Sequence, residues 1–324
     1  MSSLSLPSFP SLNTAITSLF GNNIQILHAS PVAGGDINKA IQLKLTNGMC
    51  IFMKANRKDN LSFFTAEAAG LEAIAHTREI GTPELLCYGT DEEQGGFSFL
   101  LMEWIQGERR VPNYWETFAH QLAAMHRAPA QDFVTGGRYG FHQNNYIGAR
   151  PQTNTAYDSW VTFFRDCRLE PQIRSAEHYF VPGEFKRIDW LLDHLGDFLA
   201  EPEKPSLLHG DLWSGNAIVG NDGKAWLIDP AVYVGHAEAD IAMTELFGGF
   251  PQEFYSAYRE AGLQQPDYEE RRDLYNLYQL LNHLNLFGRS YLSSVRRILD
   301  KYIRVARRRQ FEPCLRRDNS SFAP

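Results

Sequence analysis

Residues 207–230 have the sequence LLHGDLWSGNAIVGNDGKAWLIDP, which is the most informative segment of the chain. Two short apolar segments, at 217–219 and 225–228, flank the residues Gly-Asn-Asp-Gly at 220–223. Turn-forming residues between two apolar segments predict a β-hairpin. Polar residues on either side of this hairpin are therefore expected to meet at its open end.

The predicted pairing brings three polar side chains together. A four-residue loop places Val219 opposite Lys224, so that Asn216 falls within about two residues of Asp229. Asp211 lies in the loop just before the hairpin. Taken singly, such residues often only form turns. Together, two carboxylates and an amide oxygen suit Mg²⁺, which usually keeps waters and nucleotide phosphate oxygens as its other ligands.

The same residues match a pattern of phosphoryl transfer. His209-x-Asp211-x-x-x-x-Asn216, followed by Asp229, has the spacing of a kinase catalytic loop and its metal-binding aspartate. Because the transition state is rich in charge, catalysis depends on metal ions, a positioned lysine and a carboxylate that orients the attacking hydroxyl. We therefore predict Asp211 as the catalytic base, and Asn216 and Asp229 as metal ligands.

The N-terminal third of the chain predicts a small sheet that carries one helix. An Asn-Gly pair at 47–48 is a strong hairpin signal between the first two strands. Apolar residues at helical spacing follow the second strand. The predicted strands are Ala40–Leu45, Met49–Lys54 and Phe97–Met102, and the predicted helix is Leu61–Ala75.

Lys54 and Glu67 are predicted to form an ion pair. Lys54 ends an apolar strand, whereas Glu67 falls within the apolar stripe of the helix, between Phe64 and Leu71. A carboxylate on a buried face requires a cationic partner. By the kinase pattern, that partner is the lysine that reaches the nucleotide phosphates. The alternative for Glu67 is an ordinary position at the edge of an amphipathic helix.

Two segments of the N-terminal lobe are predicted to contact the nucleotide by their position. Gly34 and Gly35 precede the first strand of the hairpin, where a phosphate-covering loop belongs, and adjacent glycines expose backbone N–H groups to an anion. Glu103, Trp104 and Ile105 follow the last strand, where a hinge would meet adenine. An ordinary turn and a plain lobe connector are the alternatives.

The rest of the chain is predicted to be largely helical. The fold class is therefore α+β, a bilobal protein-kinase-like fold with a small antiparallel sheet lobe at residues 1–104 and a larger helical catalytic and substrate lobe at 105–324. The predicted helices are Tyr114–His126, Asp158–Arg174, Ile188–Leu199, Ala237–Leu246, Gln252–Ala261, Arg271–Phe287 and Tyr291 to about Arg308.

Composition excludes several classes of protein. The 324 residues carry a net charge of −7, so the overall field repels nucleic acid and anionic lipid. The most apolar segment, Phe97–Ile105, is too short for the ~18 apolar residues of a membrane helix. The four cysteines form no C-x-x-C pair, which argues against a disulfide framework and a structural zinc site. The first Lys or Arg is Lys39, which argues against a secretory signal. We expect a cytoplasmic protein without nucleic-acid or membrane partners.

Several of these motifs resemble the fructosamine (ketosamine) kinase family, which is related to aminoglycoside phosphotransferases and choline kinases. The resemblance extends from about Gly34 to Tyr291. The most specific motifs are HGDLWSGN at 209–216, EADIAM at 238–243, LFGGF at 246–250 and LLNHLNLFG at 280–288.

The resemblance implies a reaction and a substrate site. The γ-phosphoryl group of ATP would pass, with Mg²⁺, to the 3-hydroxyl of a ketosamine such as a fructosyl or ribulosyl adduct, which then sheds the sugar. Trp213 resembles the family's residue after HGDL, and Trp160 and Arg168 resemble its helix beside the sugar. Packing in the core is the alternative for both tryptophans.

The sequence leaves two other functions open. One is a small-molecule hydroxyl kinase of the aminoglycoside or choline type, for which an acidic or aromatic cleft would be expected. The other is an inactive kinase fold that serves as a binding module, although such a scaffold needs none of the catalytic residues. The fructosyl or ribulosyl preference and the oligomeric state also stay open.

Overall fold

The computed structural model describes residues 6–33, 37–93 and 96–317, with side chains up to residue 305. Within these residues no helix is both long and apolar enough to cross a membrane. The strands of the N-terminal half form one six-stranded sheet in the order β1-β5-β6-β4-β3-β2. These strands are β1 Ser8–Phe9, β2 Ile26–Pro31, β3 Lys39–Leu45, β4 Cys50–Arg57, β5 Leu85–Asp91 and β6 Phe97–Glu103.

The sheet confirms the three predicted strands and adds three others. All strand pairs from β2 to β6 are antiparallel, and the edge strand β1 pairs with β5 in parallel. Two helices accompany the sheet, α1 Leu12–Phe20 and α2 Leu61–Thr77. Each contributes to its own apolar cluster, in which Ile16 of α1 and Phe64 of α2 are fully buried. The sheet is therefore held between two layers.

The C-terminal half is mainly helical around one large apolar core. Its short strands pair as β7 with β8, β9 with β12, and β10 with β11. The strands are β7 Asn145–Ile147, β8 Arg150–Gln152, β9 Ser206–Leu208, β10 Ala217–Val219, β11 Ala225–Leu227 and β12 Tyr233–Gly235. The helices are α3 Tyr114–Arg127, α4 Trp160–Phe164, α5 Glu170–Ser175, α6 Pro182–Asp193, α7 Glu238–Leu246, α8 Gln252–Glu260, α9 Tyr268–Phe287 and α10 Leu292–Arg317.

Two predicted helices are corrected. The helix predicted over residues 158–174 is divided, because a wide π-helical turn at Arg165–Leu169 separates α4 from α5. The helix predicted from Ile188 begins instead at Pro182, since a proline is tolerated in the first helical turn. The remaining predicted helices are present with ends shifted by at most three residues, except that the last one extends to Arg317, nine residues beyond its predicted end.

The hairpin β10–β11 is confirmed, but its predicted register was wrong by one residue. Val219 pairs with Ala225, and the backbone N–H of Gly220 donates to the carbonyl of Lys224 at 2.8 Å. The loop thus has three residues and closes at Gly223, whose φ is 75°. A three-residue hairpin loop commonly combines a turn with a left-handed glycine. The predicted four-residue loop did not include the extra pair of Gly220 with Lys224.

The predicted lobe boundary after residue 104 stays a prediction. The sheet ends at Glu103, and the chain then runs along the loop of the hairpin β10–β11. The backbone N–H of Glu108 donates to the carbonyl of Gly220, and that of Val111 donates to the carbonyl of Gly223. These contacts position the connector beside the hairpin whose other end carries Asn216 and Asp229.

Candidate active site

Lys54 lies at the centre of the site, between two carboxylates. Its Nζ is 2.6 Å from Oε1 of Glu67 and also donates to Oδ1 of Asp229. Glu67 reaches it from α2, where Phe64 and Leu71 on the same helix are buried in the sheet. The predicted pair of Lys54 and Glu67 is therefore present, and the contact with Asp229 adds a third member.

Burial and charge act in opposite directions on this group. Burial alone would lower the pKa of Lys54, but Glu67 and Asp229 together raise it well above its ordinary value. Lys54 therefore keeps its charge. Burial also raises the pKa of Glu67, and Lys54 opposes that rise. A buried carboxylate depends on its cationic partner, which makes the lysine and the glutamate one electrostatic unit.

Asp211 and Asn216 are linked within the catalytic loop. Nδ2 of Asn216 donates to the main-chain carbonyl of Asp211 at 2.9 Å and to its Oδ2 at 3.3 Å. The backbone N–H of Ile228 donates to the carbonyl of Asn216 at 3.1 Å. This bond continues the hairpin by one position and sets Asn216 beside the residue before Asp229. The three predicted polar residues thus meet at one end of the hairpin.

The pKa of Asp211 is raised to about 7. Burial is the main cause, and the negative charge of Asp229 adds to it, while the hydrogen bond from Asn216 opposes it. A general base is most effective when its pKa lies near the working pH. The environment of Asp211 is therefore suited to accepting a proton from a hydroxyl group.

Asp240, on α7, binds the backbone of the loop that precedes Asp211. Its carboxylate accepts hydrogen bonds from the backbone N–H groups of His209 at 2.7 Å and Gly210 at 2.9 Å. A third bond, at 3.2 Å, joins it to Nε2 of His126. Burial favours the neutral form, yet the hydrogen bonds, that of His126 first, lower the pKa of Asp240. Asp240 lies in the EADIAM motif at 238–243, but neither Asp240 nor His126 was predicted to have a role.

His209 connects the catalytic loop to the strand that carries Asp229. Burial lowers its pKa, so the ring is neutral. Nε2 donates to the carbonyl of Ile228 at 2.9 Å, and Nδ1 accepts from the backbone N–H of Asp211 at 3.2 Å. The neutral tautomer with its proton on Nε2 makes both hydrogen bonds. The ring therefore links the loop that carries Asp211 to the strand leading to Asp229.

Asp229 has an unusual backbone for a residue with a side chain. Its φ is 55°, in the left-handed region, and Pro230 follows it. The backbone N–H of Ala231 donates to the carbonyl of His209 at 2.8 Å, which holds the chain in this conformation. Such backbone strain is maintained only where the surroundings fix it, and it is common in functional sites. Here it directs the carboxylate, 41% exposed, toward Lys54.

Asn216 and Asp229 fit the chemistry of a magnesium site. With Nδ2 of Asn216 bound to Asp211, its carbonyl oxygen is the atom left to face a cation, and Asp229 offers the second hard oxygen. Mg²⁺ is commonly bound by one or two such ligands together with phosphates and waters. In the described part of the chain, no group of three or more His, Cys, Asp or Glu side chains is arranged to hold a metal ion.

The predicted hinge is held by the side chain of Asn221, which was not predicted to have a role. Asn221, in the loop of the hairpin β10–β11, donates to Oε1 of Glu103 at 2.9 Å and accepts from the backbone N–H of Gln106 at 3.1 Å. Trp104 packs near Phe52, with ring centroids 6.3 Å apart. The roles of Glu103, Trp104 and Ile105 toward adenine stay predictions. Gly34 and Gly35 lie outside the described residues.

Trp213 is the predicted substrate residue that reaches the surface. It is 38% exposed, and its indole lies over Gly215, where an added methyl group would come within 2.4 Å of the ring. Glycine is therefore required at 215 for this stacking. The position leaves part of the ring available beside Asp211, two residues earlier in the loop. Its role as a substrate wall stays a prediction.

The side chains of Trp160 and Arg168 are both fully buried. Trp160 lies in the core, 5.2 Å from Phe164 between ring centroids. Arg168 donates to Oδ1 of Asn154 at 2.7 Å, and its guanidinium lies 3.9 Å from the ring centroid of Tyr233. These contacts support the packing alternative, and the roles of both residues beside the sugar stay predictions.

A family model and sequence comparisons identify relatives across most of the chain. The model of the fructosamine kinase family matches residues 8–305. A "Probable ketoamine kinase" of Synechocystis sp. is 37% identical over 291 residues, covering 90% of this chain and 95% of that protein. The chloroplastic protein-ribulosamine 3-kinase of Arabidopsis thaliana is 37% identical over 287 residues, covering 88% and 85% of the two chains.

Solved structures agree with this result. The crystal structure of a candidate fructosamine-3-kinase from Thermobifida fusca has a TM-score of 0.77 and 31% identity, covering 91% of this chain and 99% of that one. An aminoglycoside phosphotransferase in a ternary complex with AMP-PNP and hygromycin B has a TM-score of 0.57 at 16% identity, covering 90% and 97%. The latter similarity concerns the kinase-like fold alone.

Proposed function

The chain belongs to the fructosamine kinase family, and on this basis we propose that it transfers the γ-phosphoryl group of ATP to the 3-hydroxyl of ketosamines. The acceptors would be fructosyl or ribulosyl adducts of amines, free or on proteins. The phosphorylated adduct then sheds its sugar, so the biological outcome is deglycation. The cytoplasmic location predicted from the sequence belongs to this proposal, and the described cysteines Cys50, Cys87 and Cys167 are free, as is usual in a reducing compartment.

The observation that supports the proposal most is the contact of Lys54 with both Glu67 and Asp229, next to the loop in which Asn216 bonds to Asp211. Glu67 holds Lys54 at 2.6 Å, so that its charge is directed at the nucleotide phosphates. Asn216 and Asp229 would hold Mg²⁺, which supplies charge neutralisation at the phosphates when bound. An inactive binding module needs none of these groups, and their joint presence disfavours that alternative.

Asp211 performs the acid–base step in this proposal. A pKa near 7 allows it to accept the proton of the sugar hydroxyl as the oxygen attacks phosphorus. Asn216 keeps its carboxylate oriented, and Asp240 fixes the loop backbone on which the carboxylate is mounted. Positioning of this kind is the main contribution a protein makes to phosphoryl transfer.

A substrate panel tests the proposed function. ATP consumption is measured with fructosyl-lysine, ribulosyl-lysine, kanamycin and choline, for the wild type and for Asp211→Asn. We expect turnover with one or both ketosamines, and a loss of about 10²–10⁴-fold in Asp211→Asn with little change in nucleotide affinity. Turnover with kanamycin or choline alone would assign the enzyme to another branch. An Asp211→Asn enzyme with more than about half the wild-type rate would remove the base role.

A further inference from the structure

The hairpin β7–β8 lies between the two halves of the site and presents a different face to each. Asn145 pairs with Gln152 across the ladder, and both are buried. Tyr146, the next residue, is only partly buried. Because successive side chains of a strand point to opposite faces, the hairpin directs Asn145 and Tyr146 to opposite sides.

One face holds the backbone that follows Asp229. Nδ2 of Asn145 donates to the carbonyl of Val232 at 2.7 Å. Nε2 of Gln152 donates to the carbonyl of Ala231 at 3.0 Å and to Oδ1 of Asn145 at 2.8 Å. These two carbonyls belong to the second and third residues after Asp229. The hairpin therefore helps to fix the segment from which that carboxylate projects.

A buried chain of polar side chains makes this face rigid. Asn154 donates to Oδ1 of Asn145 at 2.8 Å, and Arg168 donates to Oδ1 of Asn154 at 2.7 Å. The hydroxyl of Tyr278 donates to Oε1 of Gln152 at 2.6 Å. Buried polar networks of this kind specify one arrangement of the backbone. Arg168 is thus connected to the hairpin through Asn154.

The opposite face contacts the first turn of α2. The ring of Tyr146 stacks on Phe63, with centroids 4.0 Å apart and planes inclined by 18°. Its hydroxyl lies 2.9 Å from Oγ of Ser62. Phe63 precedes Glu67 by four residues, or about one helical turn. The hairpin therefore touches the helix that carries the partner of Lys54.

Two close approaches of glycines strengthen this connection. A methyl group at Gly70 of α2 would lie 3.2 Å from the side chains of Pro230 and Val232. A methyl group at Gly148, in the loop of the hairpin, would lie 3.1 Å from the side chain of Leu286 on α9 and 3.5 Å from that of Ile37. Gly70 thus packs α2 against the segment after Asp229, and Gly148 packs the hairpin against α9.

We propose that residues 145–152 form an interlobe brace, in which Tyr146 is a positioning residue for nucleotide binding. By holding the start of α2 against the segment after Asp229, the brace fixes Glu67, and through it Lys54, relative to that carboxylate. The proposal rests on the nucleotide half of the proposed function only. It requires no statement about the sugar acceptor.

Calorimetry with Mg²⁺ and AMP-PNP tests the brace. Tyr146→Ala removes a stacked ring and a hydrogen bond, and we expect it to weaken Mg·AMP-PNP binding by roughly 10-fold. Tyr146→Phe keeps the ring and should weaken binding by less than about 3-fold. Phe63→Ala removes the same stacking from the α2 side and should reproduce the loss. This second variant also keeps the proposal testable if Tyr146→Ala does not fold.

A double variant separates positioning from packing. If Tyr146 acts through Glu67, adding Tyr146→Ala to Glu67→Ala should weaken nucleotide binding no further. Unchanged binding in folded Tyr146→Ala and Phe63→Ala, or additive losses with Glu67→Ala, would overturn the proposal. A lower melting temperature with unchanged affinity would assign the ring to packing alone, which also overturns it. A wild type that binds Mg·AMP-PNP but phosphorylates no ketosamine would refute the proposed function and leave the test of the brace readable.

Discussion

Replacing Glu67 by glutamine perturbs the ion pair at the centre of the site with little change in shape. The substitution removes a negative charge whose oxygen lies 2.6 Å from Nζ of Lys54. A hydrogen bond between charged groups contributes about 1.5–3 kcal/mol, which corresponds to roughly 10- to 150-fold in an equilibrium constant. Lys54 would then be held by Asp229 alone, and so it would compete with the metal ion for that carboxylate. We expect kcat/KM for ATP to fall by about 10- to 100-fold.

Steady-state kinetics and melting temperature are measured together for this variant. Glu72→Gln is the matched control, because Glu72 lies on the same helix but is exposed. It should leave kcat/KM and the melting temperature nearly unchanged. Lys54→Met should lose more activity than Glu67→Gln, and the double variant should be little worse than Lys54→Met alone, because the two side chains act as one unit.

Two results would refute this reasoning. Fully additive losses in the double variant would show that Lys54 and Glu67 act independently in the working enzyme. Equal losses in Glu67→Gln and Glu72→Gln would attribute the effect to the charge of the helix instead of the pair.

Four further predictions concern the catalytic loop and its surroundings. Asp229→Ala should abolish Mg²⁺-dependent binding of AMP-PNP while the protein stays folded; calorimetry with unchanged affinity would move the metal role to other residues. Asp211→Asn should stabilise the nucleotide-free protein above pH 7 by about 1–3 kcal/mol, because a carboxyl group whose folded-state pKa is raised to about 7 destabilises the fold once ionised. In urea titrations this gain should shrink as the pH falls from 7 toward 4, and a gain that grows on acidification would contradict it. Asp240→Asn should cost about 2–5 kcal/mol of unfolding free energy, since it removes an acceptor from buried backbone N–H groups, and a change under about 1 kcal/mol would refute that support. Trp213→Leu should raise KM for the ketosamine and alter the fructosyl or ribulosyl preference at constant KM for ATP; a large fall in melting temperature with unchanged preference would make Trp213 a packing residue.

The juxtaposition of the proposed catalytic residues was predictable because their signal is local. Asp211, Asn216 and Asp229 lie within 19 residues of one another, and one hairpin brings them together. The error of one residue in the predicted register did not change this result, since the observed register brings Asn216 one residue closer to Asp229. The pairing of Lys54 with Glu67 could also be predicted, because an acidic residue on an apolar helix face requires a cationic partner.

The supporting residues were not predictable in the same way. Asp240 bonds to backbone N–H groups about 30 residues away, and His126 reaches it from α3. No periodicity or spacing encodes such contacts, since they depend on how helices pack. The same limit applies to Arg168, for which the resemblance implies a position beside the sugar, whereas the structure buries it against Asn154 and Tyr233.

The position of the phosphate on the sugar product decides whether the enzyme is a ketosamine 3-kinase. Wild-type enzyme is incubated with Mg·ATP and fructosyl-lysine or ribulosyl-lysine, and the product is examined by ³¹P and ¹³C NMR. We expect a phosphomonoester on the 3-hydroxyl, formed by the wild type and by the Glu72→Gln control but not by Asp211→Asn. Phosphate on another hydroxyl, or release of inorganic phosphate without a sugar phosphate, would contradict it.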